Sequence, residues 1–403
     1  MAVGETGFPE LKITGVKLGT SLAGIKQKVR DDILLVELTS GSHCTAVFTQ
    51  NKFCAAPVQV AQQHLSHSPR WLLVNSGNAN AGTGRQGLAD AQQCCRDVAR
   101  LVGGQDLQVM PFSTGVIGEA LPAEKIHMAL PDALANLDEK GWEKAAAAIM
   151  TTDTRPKGAS KTIQLGGKTV TIGGIAKGAG MIQPNMATML AFIATDAVID
   201  PAVMGQCLEA AVENSFNCIT VDGDTSTNDA CVLMATGCAD NEEIRLDSLG
   251  CVDFTAALTE VCQALAEAIV RDGEGANKLI RITVEGAATN KEARLLAKTV
   301  AHSPLVKTAF FASDPNWGRV LAAIGRAEID NLDIQKVSVW LGEVCIVASG
   351  EKARDYSEIA GQAVMNRDEI TVRIALGRGT AIQTVLTCDL SYDYVRINAE
   401  YRT

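Results

Sequence analysis

The sequence predicts a layered α/β fold: a sandwich of mixed or antiparallel sheets with helices outside. Three observations predict it. Segments of helical and of strand periodicity alternate along the chain, strand-like runs often succeed one another across a short turn, and 47% hydrophobic against 20% charged residues supply a large core.

Taken in order, ILLVEL (33–38) and CTAVFT (44–49) read as strands joined by a Ser/Gly turn, and WLLVNSG (71–77) as a strand entering the loop NANAGTG. Leu88, Ala91, Cys95, Val98 and Val102 recur every three or four residues, which is one apolar stripe of a helix. LQVMPF (107–112) is a short strand ending at a Ser-Thr-Gly corner, with helical stretches near 123–133 and 139–150. TIQLGGKTVTIGG reads as a hairpin turning at Gly166-Gly167. Helical stretches near 201–214 and 253–271 flank the strand-like CVLMATG, and LIRITVEG (279–286) is a further strand. Thr289 and Glu292 stand at capping-box spacing before RLLAKTVA. From about 330 the chain reads as strands: VSVWL, EVCIVA, EITVRIALG, AIQTVLTCDL and YDYVRINAE. A domain boundary is suggested near 285.

Composition excludes several functions. A net charge of −10 argues against a nucleic-acid surface. The opening residues lack the layout of a signal peptide, and no apolar run is expected to reach the roughly 20 residues that span a bilayer. MATMLAFIATDAVI, the longest candidate, is interrupted by Thr188, Thr195 and Asp196. A soluble, cytoplasmic protein is expected. The 12 cysteines form no C-x-x-C pair and sit mostly in apolar runs, so they read as buried thiols. Asp222, Asp224 and Asp229 in VDGDTSTND resemble a calcium loop but lack an acid at the twelfth position, and no metal is expected. DPNWGR (314–319) reads as a turn with Pro315 and Gly318 before a packing helix.

The segment that suggests chemistry runs from Ala176 to Phe192, KGAGMIQPNMATMLA between them. Its glycines allow strained dihedrals, and an Ala187–Thr188 peptide held at a strand entrance is vulnerable to its own hydroxyl. An N-to-O acyl shift followed by hydrolysis leaves a chain beginning at Thr188. Its α-amine, with a reference pKa of about 7.7–8.0, can act as base for its own hydroxyl. On the residues alone this is suggestive only, since a Gly-rich turn before a strand is a common structural device. Lys177 alone would be a solvated loop lysine and Glu274 an exposed helix-end acid.

The run KGAGMIQPNMATMLAF resembles the cleavage segment of the ornithine acetyltransferase family of arginine biosynthesis. So do GVKLGTSLAGIK, VFTQNKFCAAPV, VNSGNANAGTG, PFSTGVIGEALP, IMTTDTRPK, DGDTSTNDA, VRDGEGANKLIRITVEGA, FFASDPNWGR and the final YVRINAEYRT, in order over nearly the whole chain. The resemblance implies a self-cleaving, N-terminal-nucleophile-like acyltransferase, with pieces 1–187 and 188–403 assembled two of each. It implies transfer of acetyl from N2-acetylornithine to glutamate. Some members make N-acetylglutamate from acetyl-coenzyme A, which stays open here as a donor substrate; no cofactor is implied. Thr188 matches the nucleophile, and Thr114 and Gly115 the oxyanion hole. Thr151, Lys177, Glu274, Asn398 and Thr403 match substrate contacts, Lys177 suiting a carboxylate and Glu274 an amine. The rival class is a self-processed aminopeptidase or amidase of related fold.

Overall fold

A computed structural model of the chain describes residues 3–4, 7–26, 29–183 and 189–400. The first strands are β1 (Val16–Ser21), β2 (Ile33–Leu38) and β3 (His43–Phe48). Helix α1 (Ala56–His64), β4 (Trp71–Asn78), α2 (Gly84–Val102), β5 (Val109–Val116), α3 (Ala123–Ala135) and α4 (Trp142–Ala148) follow. The hairpin β6 (Lys157–Leu165) and β7 (Lys168–Lys177) turns at Gly166-Gly167 as expected. Next come β8 (Leu190–Thr195), α5 (Pro201–Glu213), β9 (Ala230–Ala235) and α6 (Leu249–Arg271).

These elements build two facing sheets, of order β1-β2-β4-β5 and β3-β9-β8-β7-β6. In the first, β4 and β5 are parallel with α2 as the crossover; in the second, β8 and β9 are parallel and the other pairs antiparallel. Alternation along β2 explains its place. Ile33 and Leu35 pack outward under α2 and α3, whereas Leu34, Val36 and Leu38 face the second sheet. Between the sheets Phe112 and Phe192 meet edge to face at 5.2 Å. Outside the second sheet, Ala191, Ile193, Cys231 and Leu233 pack on α5 and α6. The layers are therefore helix, sheet, sheet, helix.

The Ser/Gly turn after β2 does not make a hairpin. It carries the chain across the sandwich, so that β2 pairs with β1 and β4 while β3 pairs with β9. A strand apolar on both faces belongs inside a sheet, and β3, largely half-buried, takes an edge. Helix α6, with 23 residues, has the length and hydropathy of a bilayer span, contrary to the sequence expectation. Its residues Phe254, Leu258, Val261, Leu265 and Ile269 are buried in the protein core at helical spacing.

The rest of the chain forms a third unit. It comprises β10 (Leu279–Ala287), α7 (Asn290–Ala301), α8 (Pro304–Phe311), α9 (Trp317–Gly325), β11 (Ser338–Leu341), β12 (Val344–Ala348), β13 (Glu351–Lys352), α10 (Glu358–Met365), β14 (Glu369–Ala375), β15 (Ala381–Cys388) and α11 (Tyr392–Ala399). Its six-stranded sheet, β13-β12-β11-β14-β10-β15, has its own core beginning at Ile280. Thr289 caps α7 through the Glu292 amide, 3.1 Å, and Glu292 returns to the Ala288 amide, 3.1 Å. In DPNWGR it is Asn316 that starts the helix, by accepting the Arg319 amide at 3.1 Å; Gly318 lies inside α9.

YDYVRINAE is not a strand but contains α11. Tyr, Val and Ile gave it strand-like composition, yet none of its residues is buried and no sheet edge receives it. Asp389 instead accepts the amides of Asn277 (2.7 Å) and Lys278 (2.9 Å), and Ser391 Oγ donates to the Gly275 carbonyl (2.7 Å). These bonds turn the chain onto the loop after α6. Gly275, with φ +71°, admits it there: a Cβ would lie 2.5 Å from the Tyr394 nitrogen.

Candidate active site

The ends of β4 and β5 cross closely beside the sandwich. Gly115 has φ +137°, and a Cβ on it would stand 2.2 Å from the carbonyl carbon of Gly77. Only glycine allows this approach. Around the crossing, amides replace apolar packing: Ser113 Oγ donates to Asn75 Oδ1 (2.5 Å), and Asn75 Nδ2 to the Asn78 carbonyl (2.9 Å). Asn228 Nδ2 donates to the carbonyls of Ala79 (2.6 Å) and Ser113 (2.9 Å), tying the loop before β9 to both strands. Thr114 is thereby presented at the sheet end, buried.

From the opposite sheet, Lys177 closes β7 opposite Leu190 of β8. Its ammonium donates to Thr114 Oγ1 at 3.2 Å. The next residues form a tight loop: the Gly178 amide donates to Asp153 (2.7 Å), and the amides of Met181 (2.6 Å) and Ile182 (2.8 Å) donate to the Asp222 carboxylate. Asp222 is thus used as a backbone anchor. The Ala179 carbonyl accepts the Glu274 amide at 2.8 Å. Gly180 lies so close to the Glu274 carboxyl that a Cβ would come within 2.4 Å of it. Asn398 of α11 completes the rim, donating to Glu274 Oε2 at 2.7 Å.

A cavity of about 240 Å³ opens among these groups. Its lining brings together Thr114, Gly115, Thr151, Lys177, Glu274 and Asn398, six of the residues singled out in the sequence. Ala187, Thr188 and Thr403 lie outside the described residues; Met189, the residue after Thr188, lines the cavity. Lys177 and Glu274 are buried, not solvated as their residue types and sequence positions alone suggest.

The electrostatics are those of an enclosed site. Desolvation lowers the Lys177 pKa; Asp153, Asp229 and Glu274 oppose this, and Lys157 reinforces it. Asp153 is desolvated too, but the Lys157 and Lys177 ammoniums outweigh burial and hold its carboxyl far below the usual range. Asp229, 3% exposed, behaves oppositely: burial pushes its carboxyl well above the usual range, and Oδ2 has no hydrogen-bond partner among the described residues. Sequence reasoning weighed Asp229 only as a metal ligand and missed Asp153 and Asn228 altogether. Their one signal was polar residues in short runs, TTDTR and TSTND, beside apolar strands.

Chemically, an ammonium and a carboxylate facing one enclosed space suit a zwitterionic amino acid. A hydroxyl and a backbone amide at a strained strand end suit a developing oxyanion.

The family model for the ArgJ family matches residues 17–403. The chain is 64% identical over 391 residues to the "Arginine biosynthesis bifunctional protein ArgJ" of Methylococcus capsulatus, covering 97% of this chain and 96% of that one. It is 53% identical over 405 residues to the protein of the same name from Pseudomonas fluorescens, covering 100% of each. A crystal structure of the Bacillus halodurans protein is 40% identical over 51% of this chain and 96% of its own, with TM-score 0.49.

Proposed function

The chain belongs to the ArgJ family, and from that premise we infer an acyltransferase that carries acetyl from N2-acetylornithine to glutamate through Thr188. The Thr188 hydroxyl attacks the Ala187 carbonyl, the acyl group shifts from nitrogen to oxygen, and water hydrolyses the resulting ester to free both the hydroxyl and the α-amine of Thr188. The new α-amine then serves as base for that hydroxyl, which attacks the acetyl carbonyl. Ornithine leaves with the proton on its amine, and the amine of glutamate attacks the acetyl ester to give N-acetylglutamate.

Thr114 and Gly115 stabilise both tetrahedral intermediates. Thr114 Oγ1 accepts from Lys177, so its own proton is free for the oxyanion, beside the Gly115 amide. Lys177 meets a substrate carboxylate and Glu274 a substrate amine, with Thr151, Asn398 and Thr403 as further contacts. What carries this reading is the convergence of Thr114, Gly115, Lys177, Glu274 and Met189 on one cavity. Met189 is the residue that follows Thr188 in the sequence.

The relatives are named bifunctional, and acetyl-coenzyme A is the second donor in this reading, a substrate with no cofactor required. The mature protein holds two copies each of 1–187 and 188–403. It works in the cytoplasm, which suits 12 free cysteines.

Thr188→Ala tests the reading. It should abolish both cleavage, read by intact mass, and acetyl transfer, read as ornithine released in step with N-acetylglutamate. A fully active, uncut Thr188→Ala protein would refute it. Acetyl-coenzyme A as sole donor, added with glutamate, tests the second activity.

A further inference from the structure

Three stretches of chain that line the cavity are fastened to one buried ammonium. Lys157 Nζ donates to Asp153 Oδ1 and to Asp272 Oδ2, each at 2.6 Å, and all three side chains are fully enclosed. Asp153 also accepts the amide of Gly178 (2.7 Å) and that of Thr151 (3.0 Å). Asp272 accepts the Thr154 amide (3.0 Å) and the Thr154 hydroxyl, and stands two residues before Glu274. Buried ion pairs give little net stability over apolar packing, so stability is a poor account of this cluster.

The two carboxylates are equivalent toward Lys157 and unequal toward the cavity. Asp153 accepts the amide of the residue that follows Lys177, and its charge opposes the desolvation of that ammonium. The other charged groups around Lys177 are Lys157 on β6, Asp229 before β9 and Glu274 after α6, with Lys26 before β2 facing the same group. Asp272 spends its hydrogen bonds on Lys157 and Thr154.

We propose that Asp153 is a positioning residue of Lys177: ion-paired with Lys157 and bonded to the Gly178 amide, it holds the adjoining Lys177, as a cation, toward a substrate carboxylate. This rests on the acyl-transfer reading above. Asp153 touches no substrate; it acts through Lys177 and through the amides of Thr151 and Gly178.

The test compares Asp153→Asn with Asp272→Asn in the full-length enzyme, measuring kcat and KM for N2-acetylornithine across pH. Both variants remove one carboxylate from Lys157, so a merely structural role would affect them alike. Losing the Asp153 charge leaves burial less opposed, and Lys177 then gives up its proton at lower pH. Asp153→Asn should therefore move the alkaline limb of kcat/KM to lower pH and raise KM about tenfold at pH 8, with kcat changed much less. Asp272→Asn should leave the limb in place. Equal limbs in the two variants, moved or unmoved, overturn the proposal. If Asp153→Asn does not fold, Asp153→Glu keeps the charge and should raise KM with the limb unmoved; a moved limb overturns the proposal. A parent enzyme that fails to transfer acetyl at all strikes the acyl-transfer reading instead.

Discussion

Gly115→Ala puts the close crossing of β4 and β5 to the test. The added Cβ would stand 2.2 Å from the Gly77 carbonyl carbon, and 2.5 Å from both its oxygen and the Asn78 nitrogen. Carbon atoms pack at about 3.5–4.0 Å, so the two strand ends must part by roughly 1.3 Å or more. Overpacking of this kind costs about 1–3 kcal/mol, and holding alanine at φ +137° about another 1–3 kcal/mol. A displacement near 1 Å at an oxyanion donor lowers the rate on the order of 10²-fold. Gly118→Ala is the control. Its φ is +85° but nothing lies within 4 Å of its Cβ, so it should lose only about 1–2 kcal/mol and keep kcat near the parent value. Urea unfolding and initial rates of acetyl transfer, on both variants, decide the matter. If Gly115→Ala matches Gly118→Ala in both measurements, the crossing does not hold the donor.

Three further outcomes are expected. Glu274→Gln preserves an acceptor for Asn398 but removes the charge that faces the cavity; KM for the amino-acid substrate should rise about 10- to 100-fold, and an unchanged KM excludes contact with a substrate amine. Asn228→Ala leaves the Ala79 and Ser113 carbonyls unpaired, which should lower unfolding free energy by roughly 2–4 kcal/mol in urea titrations; a loss well under that range would mean that other donors replace the amide. Burial, with Lys298, Lys307 and Arg326 nearby, depresses His302 from 6.5 to about 4. Between those values the unfolded chain binds the proton and the folded one does not, so stability is full above pH 6.5 and falls as pH drops toward 4. The parent should lose up to about 3 kcal/mol more than His302→Gln over that interval, and parallel pH profiles would show that His302 titrates normally.

Periodicity made much of the fold legible. The stripe of α2, the double glycine between β6 and β7, and the Thr289–Glu292 cap are all local, and local rules found them. What failed was partnership. Nothing within ILLVEL or CTAVFT says that they lie in different sheets; that depends on β9, far along the chain. YDYVRINAE failed because its conformation is set by Gly275, Ser391 and Asp389, and not by its own composition. At the site, family resemblance pointed to Lys177 and Glu274, whereas residue type alone argued for solvent exposure. Their burial arises from long-range closure of a loop on a helix end. Asp153 was missed, and Asp229 was weighed only as a metal ligand, for a related reason: an acid in a polar run carries no mark of the surroundings that change its charge.

The strand order of the central five-stranded sheet has a mechanical consequence. β3, β7 and β6 come from the chain before Gln183, β8 and β9 from the chain after it, and β8 and β9 sit between β3 and β7. Backbone scission anywhere from Gln183 to Met189 would leave all four ladders intact and still lock the inner pair on both flanks. Pulling the lengths apart would mean unzipping two seams at once, with the shared core exposed. Made separately, the same lengths would have to meet by collision, each with naked edges until the other arrived. An unbroken chain thus acts as its own assembly tether, needed while the sheet forms and dispensable once it has.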